Sequence, residues 1–266
     1  HVAAGPIGWI MCTVVLLRRP GDPWPLIMAA NRDELVTRPA DPPDRHWPDR
    51  ADVVAGRDGL AGGSWLGVND HGVVAAVLNR VGTLGPAAGK RSRGELVLEA
   101  LDHAEAAAAA RALEHLDPGA WRPFNLVVAD ARDAFWLRHA GDGTIKVTAV
   151  PAGLSMLAAH DLDDPASARI RRYRPLFAAA LPPDPERDDW SDWQLLVASR
   201  ASATADPRDA MCIVTDGAYG TCSSSLLGLP ADPAVRPVWR FADGRPGEAA
   251  FVPVPFFRPP PAPLSW

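Results

Sequence analysis

The sequence predicts an α+β fold in which layered antiparallel strands are covered by helices. Short apolar runs are punctuated by Gly, Pro and Asn turns, and two pairs of runs are joined closely enough to be hairpins. Only two or three helical stretches interrupt the strands. Parallel winding would need a helix after nearly every strand, so two sheets sandwiched between helices suit the pattern better.

The elements follow in order. Residues 12–19 are rich in β-branched and Leu residues and run into a Pro-Gly-Asp-Pro turn, after which 25–30 form the returning strand of a hairpin. Residues 64–80, "SWLGVNDHGVVAAVLNR", form a second hairpin that turns at 69–72. Ser92 and Glu95 fit a capping box, and helical spacing continues through Leu96, Leu98, Ala100 and Leu101 to Leu116, where Asp117-Pro118-Gly119 stops it. Strands are predicted at 124–129, 134–139, 145–150 and 153–156, helices at 166–180 and 190–199, and later strands at 211–215, 221–227, 235–241 and 249–252. Residues 255–266, "PFFRPPPAPLSW", are a Pro-rich tail without periodicity.

A chain of 266 residues without a low-complexity break reads as one domain, and 47% apolar with 22% charged residues is a globular composition. A net charge of -5 and a pI near 5.8 argue against nucleic acid or an anionic membrane as the main partner. Residues 2–17 are nearly uncharged but fall short of the about 20 that a membrane helix needs, and they contain Gly5, Pro6 and Gly8. Arg18 and Arg19 follow the apolar run instead of preceding it, which disfavours a secretory signal. Three cysteines, Cys12, Cys212 and Cys222, fit a reducing compartment better than a disulfide framework, so the expected location is cytoplasmic.

Several motifs are excluded on spacing. Gly89-Lys90 has Leu84 where a phosphate loop needs its first glycine, and Ser64 lacks the second glycine of a nucleophile elbow. No His, Cys or paired carboxylate has zinc-site spacing, so neither a metal nor another cofactor is expected. Lys90, Arg91 and Arg93 read as a solvated loop before a helix, or as an anion-attracting rim at its N-terminus.

Cys12, directly behind Met11, carries the most chemistry. An apolar-strand cysteine is ordinarily inert core. Here the polar "ANRDEL" at 30–35 and "GVNDHGVVAAVLNR" at 67–80 end two apolar hairpin strands and could converge with it at one sheet end.

"MCT", "AANRDE", "GGSWLGVNDHGVVAAVLNR", "SRGELV", "LSMLAAHDLDDP" and "YGTCSSSLL" occur in this order between Met11 and about Val254. Together they resemble the family named for its Asn-Arg-Asp-Glu motif, also called the transport and Golgi organisation protein 2 family. That family is similar to the choloylglycine hydrolases and penicillin V acylases, which are N-terminal nucleophile amidohydrolases. The resemblance implies an αββα sandwich of two mainly antiparallel sheets over residues 11–254, with 1–10 an upstream extension, a propeptide or a remnant. It further implies that Cys12 becomes the first residue and supplies both a thiol and an α-amine. A free α-amine, with a pKa of about 7.7–8.0, can accept the thiol proton, whereas a peptide nitrogen cannot.

By the same resemblance, Asp33 orients that amine and the side-chain amide of Asn79 holds the oxyanion. Asn31, Arg32 and Glu34 complete the motif, either fixing the Asp33 segment beside substrate or closing a turn on themselves. Trp65 lines the pocket or packs in the core, and His160 and Asp161 fall where the acylases carry a second asparagine. Ala30 stands where they carry an arginine, and Cys222 falls near the place of another. The implied activity is hydrolysis of a carbon-nitrogen amide bond, or of a thioester or ester, in a small molecule. The alternative is a non-catalytic carrier of an amphipathic molecule such as haem or an acyl lipid.

Overall fold

The computed structural model describes residues 12–83 and 85–256. The expected extension at 1–10 and the tail from 257 onward lie outside the described residues. In chain order the elements are β1 (Thr13–Arg18), β2 (Leu26–Leu35), β3 (Ala40–Asp44), β4 (Val53–Asp58), β5 (Leu66–Asn69) and β6 (Val74–Asn79). Two helices follow, α1 (Gly94–Leu101) and α2 (Ala106–Glu114). Then come β7 (Phe124–Ala129), β8 (Ala134–His139), β9 (Ile145–Ala149) and β10 (Gly153–Leu157), followed by α3 (Ala168–Ala179) and α4 (Ser191–Val197). The chain closes with β11 (Tyr219–Leu229), β12 (Val238–Ala242) and β13 (Val252–Pro253).

The strands form two antiparallel sheets. One has the order β10-β1-β2-β11-β12-β13, and the other is a meander running from β3 to β9 in sequence order. Period-2 alternation gives the central strands two apolar faces, and each face finds its own layer. Val14, Leu16 and Met28 of the first sheet meet Val68, Val74 and Leu78 of the second in a central core. The opposite residues of β1 and β2, Val15 and Ile27, pack under α3 and α4, while Ala75 and Val128 pack under α1 and α2. The layers therefore run helix, sheet, sheet, helix, the αββα sandwich that the sequence predicted.

The observed elements differ from the sequence reading in three respects. The single helix predicted from Ser92 to Leu116 is two, because the buried Asn69 amide donates to Leu101 O at 2.9 Å and His103 O at 2.8 Å and ends α1 there. Asp130 then accepts the Ala106 N–H at 2.8 Å and starts α2, leaving His103 in the break. Residues 211–215 are not a strand and make only an isolated bridge between Val214 and Gly220. β3 and β4 are additional; β3 is the Pro-containing edge of its sheet, with its register shifting between Asp41 and Asp44.

Two glycines explain two of the quoted motifs as one contact. Ser64 N–H donates to Gly94 O at 3.0 Å, and a Cβ on Gly63 would lie 2.5 Å from the Gly94 carbonyl carbon. The start of β5 thus touches the start of α1 backbone to backbone, and "GGSWLG" and "SRGELV" meet there.

Candidate active site

Cys12 immediately precedes β1, half-buried, and its alternation turns it toward the central core together with Val14 and Leu16. Thr13 pairs with Asn31, so the next cross-strand step sets Cys12 opposite Arg32. Arg32 in turn pairs with Ser223 of β11. Cys12, Arg32 and Ser223 therefore form a row across three adjacent strands on the inner face of the sheet. With Trp65 and Leu78 from the facing sheet they line a narrow crevice of about 20 Å3, room for roughly one water molecule.

Trp65 lies under Arg32, whose guanidinium carbon is 4.6 Å from the indole centroid. Gly56 makes space for that ring: a Cβ there would sit 2.3 Å from Trp65. Among the described residues, no carboxylate or carbonyl accepts a hydrogen bond from the Arg32 guanidinium, although the residue is only 7% exposed. The buried Ser223 hydroxyl is also without a partner.

Asp33 points the other way, toward α3. Its carboxylate accepts from Arg169 at 2.9 Å and from the Thr221 hydroxyl, and both side chains of the Asp33–Arg169 pair are fully buried. Arg169 also donates to Thr13 Oγ1 and, at 2.6 Å, to Arg208 O, which joins β1, β2, β11 and α3 beneath the thiol. Burial outweighs these favourable contacts and raises the Asp33 carboxyl to about 6. The Cys12 thiol donates to Asp33 O at 3.6 Å; burial first, and the Asp33 charge second, push it up to about 12.

The other expected residues divide. Asn31 has a saturated amide: it donates to Val197 O and Met211 O at 2.9 and 2.8 Å and accepts from Ser224 at 2.7 Å. It is an anchor of β2 to the segment after α4 and does not face the crevice with its side chain. Asp161 is held at 2.6 Å by Arg80 and at 3.1 Å by Arg138, so its charge serves an ion cluster between the sheets. His160 lies beside it, where the Asn125 amide donates to Ala158 O and His160 O at 2.8 and 2.7 Å. Continuing the β1/β10 register sets Ala159 opposite Cys12, so this clamp sits at the same sheet end as the thiol.

Asn79 ends β6, paired with Phe124. Ala76 faces the other sheet and Ala75 the helices, so two-residue alternation sends the Asn79 side chain to the helix side, away from the crevice. By this alternation the amide expected at the reacting centre stands on the helix side of the sheet. The basic cluster forms no anion rim either: Arg91 pairs with Glu95 and Glu99, and Arg93 donates to Thr83 O and Pro123 O. Arg169, Thr221, Ser223 and Asn125 escaped the sequence reading. Only "GTCSSS", quoted for its resemblance, carried a signal for any of them. Among the described residues no group of three or more His, Cys, Asp or Glu could hold a metal ion, and no helix is long and apolar enough to cross a membrane.

The family model for Transport and Golgi organisation 2 matches residues 11–236. The bovine Transport and Golgi organization protein 2 homolog is 40% identical over 114 residues, covering 40% of this chain and 38% of that protein. The human homolog is 34% identical over 114 residues, covering 41% of this chain and 40% of that protein. The matched stretch thus spans about two fifths of the curated relatives' length. A solved structure of a mutant conjugated bile acid hydrolase from Clostridium perfringens superposes with a TM-score of 0.52 at 12% identity, covering 87% of this chain and 89% of that one. At that identity the shared feature is the fold, the sandwich of the N-terminal nucleophile hydrolases.

Proposed function

The chain belongs to the Transport and Golgi organisation 2 family, and from that premise we propose that it hydrolyses a small-molecule amide, or the related thioester or ester, through an acyl-Cys12 intermediate. The observation that carries the reading is the position of Cys12: at the start of a central strand, on the crevice face, above the buried Asp33–Arg169 pair.

The thiol's surroundings also support a free α-amine as the base. With a peptide on its nitrogen, the thiol stands at about 12 and is protonated at neutral pH. Asp33, at about 6, is a weak base whose oxygens already accept from Arg169 and Thr221. An α-amine at Cys12 itself, with a pKa of about 7.7–8.0, takes the thiol proton within one residue. The thiolate then attacks the amide carbonyl, the resulting ammonium protonates the departing amine, and water releases the acid from the thioester. Cleavage of the Met11–Cys12 bond is therefore part of the proposal.

Asn79 enters through its backbone. Val77 N–H donates to Trp65 O at 3.0 Å. Two residues on, the Asn79 N–H points to the same side, past the first residue of β5 and beside the Trp65 of the crevice. An N–H so directed can donate to a developing oxyanion without the side chain.

The carrier alternative is tested with the same material. Protein beginning at Cys12 is exposed to a panel of small amides and thioesters, and its intact mass is followed. An added acyl group on Cys12, absent in Cys12→Ser and in protein that retains Met11, is the expected result. Ligand binding without any acyl adduct or turnover would return the site to a carrier.

A further inference from the structure

We propose that Arg32 and Ser223 form a receptor for a carboxylate that the substrate carries close to its scissile carbonyl. This rests on the hydrolase reading of the same crevice and specifies its substrate as acidic.

Among the described residues, a buried hydroxyl without a partner and a guanidinium without a hydrogen-bond acceptor share one crevice. Taking a guanidinium out of water is costly unless an anion or a set of acceptors replaces the lost hydration. Arg32 is only 7% exposed, and among the described residues no group accepts a hydrogen bond from its guanidinium, which lies over the face of Trp65 at 4.6 Å and within electrostatic reach of Asp33 and Cys12. Its acidic neighbours are engaged elsewhere: Asp33 with Arg169 and Thr221, and Glu34 with the Leu35 N–H at 2.8 Å. Ser223, paired with Arg32 across the ladder, keeps a buried hydroxyl without a partner. A fork of guanidinium N–H donors beside one hydroxyl matches a planar carboxylate.

Charge and distance narrow the ligand further. Among the described residues that line the crevice Arg32 is the one cation, which a monoanion neutralises; Arg93 lies farther off, within electrostatic reach of Cys12 but bonded to Thr83 O and Pro123 O. Cys12 and Arg32 are cross-strand neighbours, one strand spacing of about 4.8 Å apart. A substrate whose carbonyl carbon is at the thiol therefore brings a carboxylate to Arg32 when only two or three bonds separate the two. Leu66, Ala76 and Leu78 form an apolar opposite wall, and because the crevice measures about 20 Å3 the rest of the molecule stays outside it, toward solvent.

Iodoacetate and iodoacetamide test this without any turnover, because they differ only in whether a carboxylate or a neutral amide sits beside the alkylating carbon. The thiolate displaces iodide in both, forming one S–C bond as the C–I bond breaks. The ratio of the two alkylation rates at Cys12 is read by peptide mass spectrometry of the full chain, with N-acetylcysteine added to the same reaction as the reference thiol. Arg32→Met should lower the iodoacetate-to-iodoacetamide ratio at least about tenfold, Arg32→Lys should restore part of it, and Ser223→Ala should lower it a few-fold. N-acetylglycine and N-methylsuccinamic acid, which carry the carboxylate on opposite sides of the amide, should protect Cys12 from iodoacetamide unequally, and the better protector identifies the side. N-acetylglycinamide should not protect. A ratio unchanged in Arg32→Met and Ser223→Ala, or equal protection by N-acetylglycine and N-acetylglycinamide, overturns the receptor. Because no amide is cleaved in these measurements, an absent acyl-Cys12 would refute the hydrolase reading and leave the receptor's own result standing.

Discussion

Replacing Arg169 with Leu removes the cation that faces Asp33 inside the protein. The pair is 2.9 Å apart with neither side chain exposed, and the same guanidinium donates to Thr13 and Arg208 O. Taking one partner from a buried ion pair costs about 3–5 kcal/mol, because the remaining charge stays desolvated. For a domain of this size each kcal/mol moves Tm by about 2–4 °C, so the expected fall is roughly 6–20 °C. The loss should also depend on pH. Asp33 already titrates near 6 in the folded protein, and without Arg169 its folded value climbs further above the unfolded value of about 3.9. A carboxyl raised on folding contributes stability that is complete below the unfolded value and disappears as pH rises through the folded one. The variant should therefore lie closer to the parent at pH 5, where Asp33 is largely neutral, than at pH 8. Thermal melts followed by circular dichroism at both pH values measure this, and Asp33→Leu in the same chain should recover part of the loss. A deficit below about 1 kcal/mol, equal at pH 5 and pH 8, would refute the assignment of Asp33 and Arg169 as a buried charge pair.

Asn69→Ala should cost about 2–4 kcal/mol in denaturant unfolding, since one buried side chain supplies donors to Leu101 O and His103 O and accepts from the Val73 and His71 N–H groups. Hydrogen exchange should rise first where α1 gives way to α2, and uniform exchange across both helices would contradict the capping role. Asn79→Ala should leave kcat within about tenfold of the parent, because its backbone N–H survives the change. A fall of about 10² to 10³ with KM little altered would instead restore the side-chain amide as the oxyanion donor.

Local signals in the sequence carried the strands well. "FNLVVAD" and "DAFWLRH" alternate or run apolar between turn residues, and both strands fall where the pattern put them. The turn at Asn69 was equally legible, but that Asn69 also ends a helix 32 residues later was not, because helical periodicity continues through the break. β3 was hidden by Pro42 and Pro43, which read as strand breakers and are tolerated only at an edge bulge. Cys12 and Asp33 were found through motif resemblance. Their supports were not: Arg169 and Thr221 lie 136 and 188 residues from Asp33, and neither stands out within its own segment. Asn79 was placed at the strand end where it stands, but its sheet face depends on which residue of the alternation meets the partner sheet, and that is not legible locally.

Between Thr221 and Ser223 the ladder of β11 against β2 shifts by one residue, and Cys222 is the extra residue of that bulge. In an unbroken strand Thr221 and Ser223 would share a face. The bulge instead lets Thr221 follow Asp33 outward to Arg169, while Ser223 follows Arg32 inward to the crevice. One short stretch of chain thus serves the charge network on one side of the sheet and the crevice wall on the other. The two sides are mechanically separated by a β-sheet, so residues of the crevice wall can be exchanged without unseating the Asp33–Arg169 pair beneath Cys12. Deleting the single residue Cys222 would make Thr221 and Ser223 neighbours in a regular ladder against Asp33 and Arg32, still on opposite faces of the sheet.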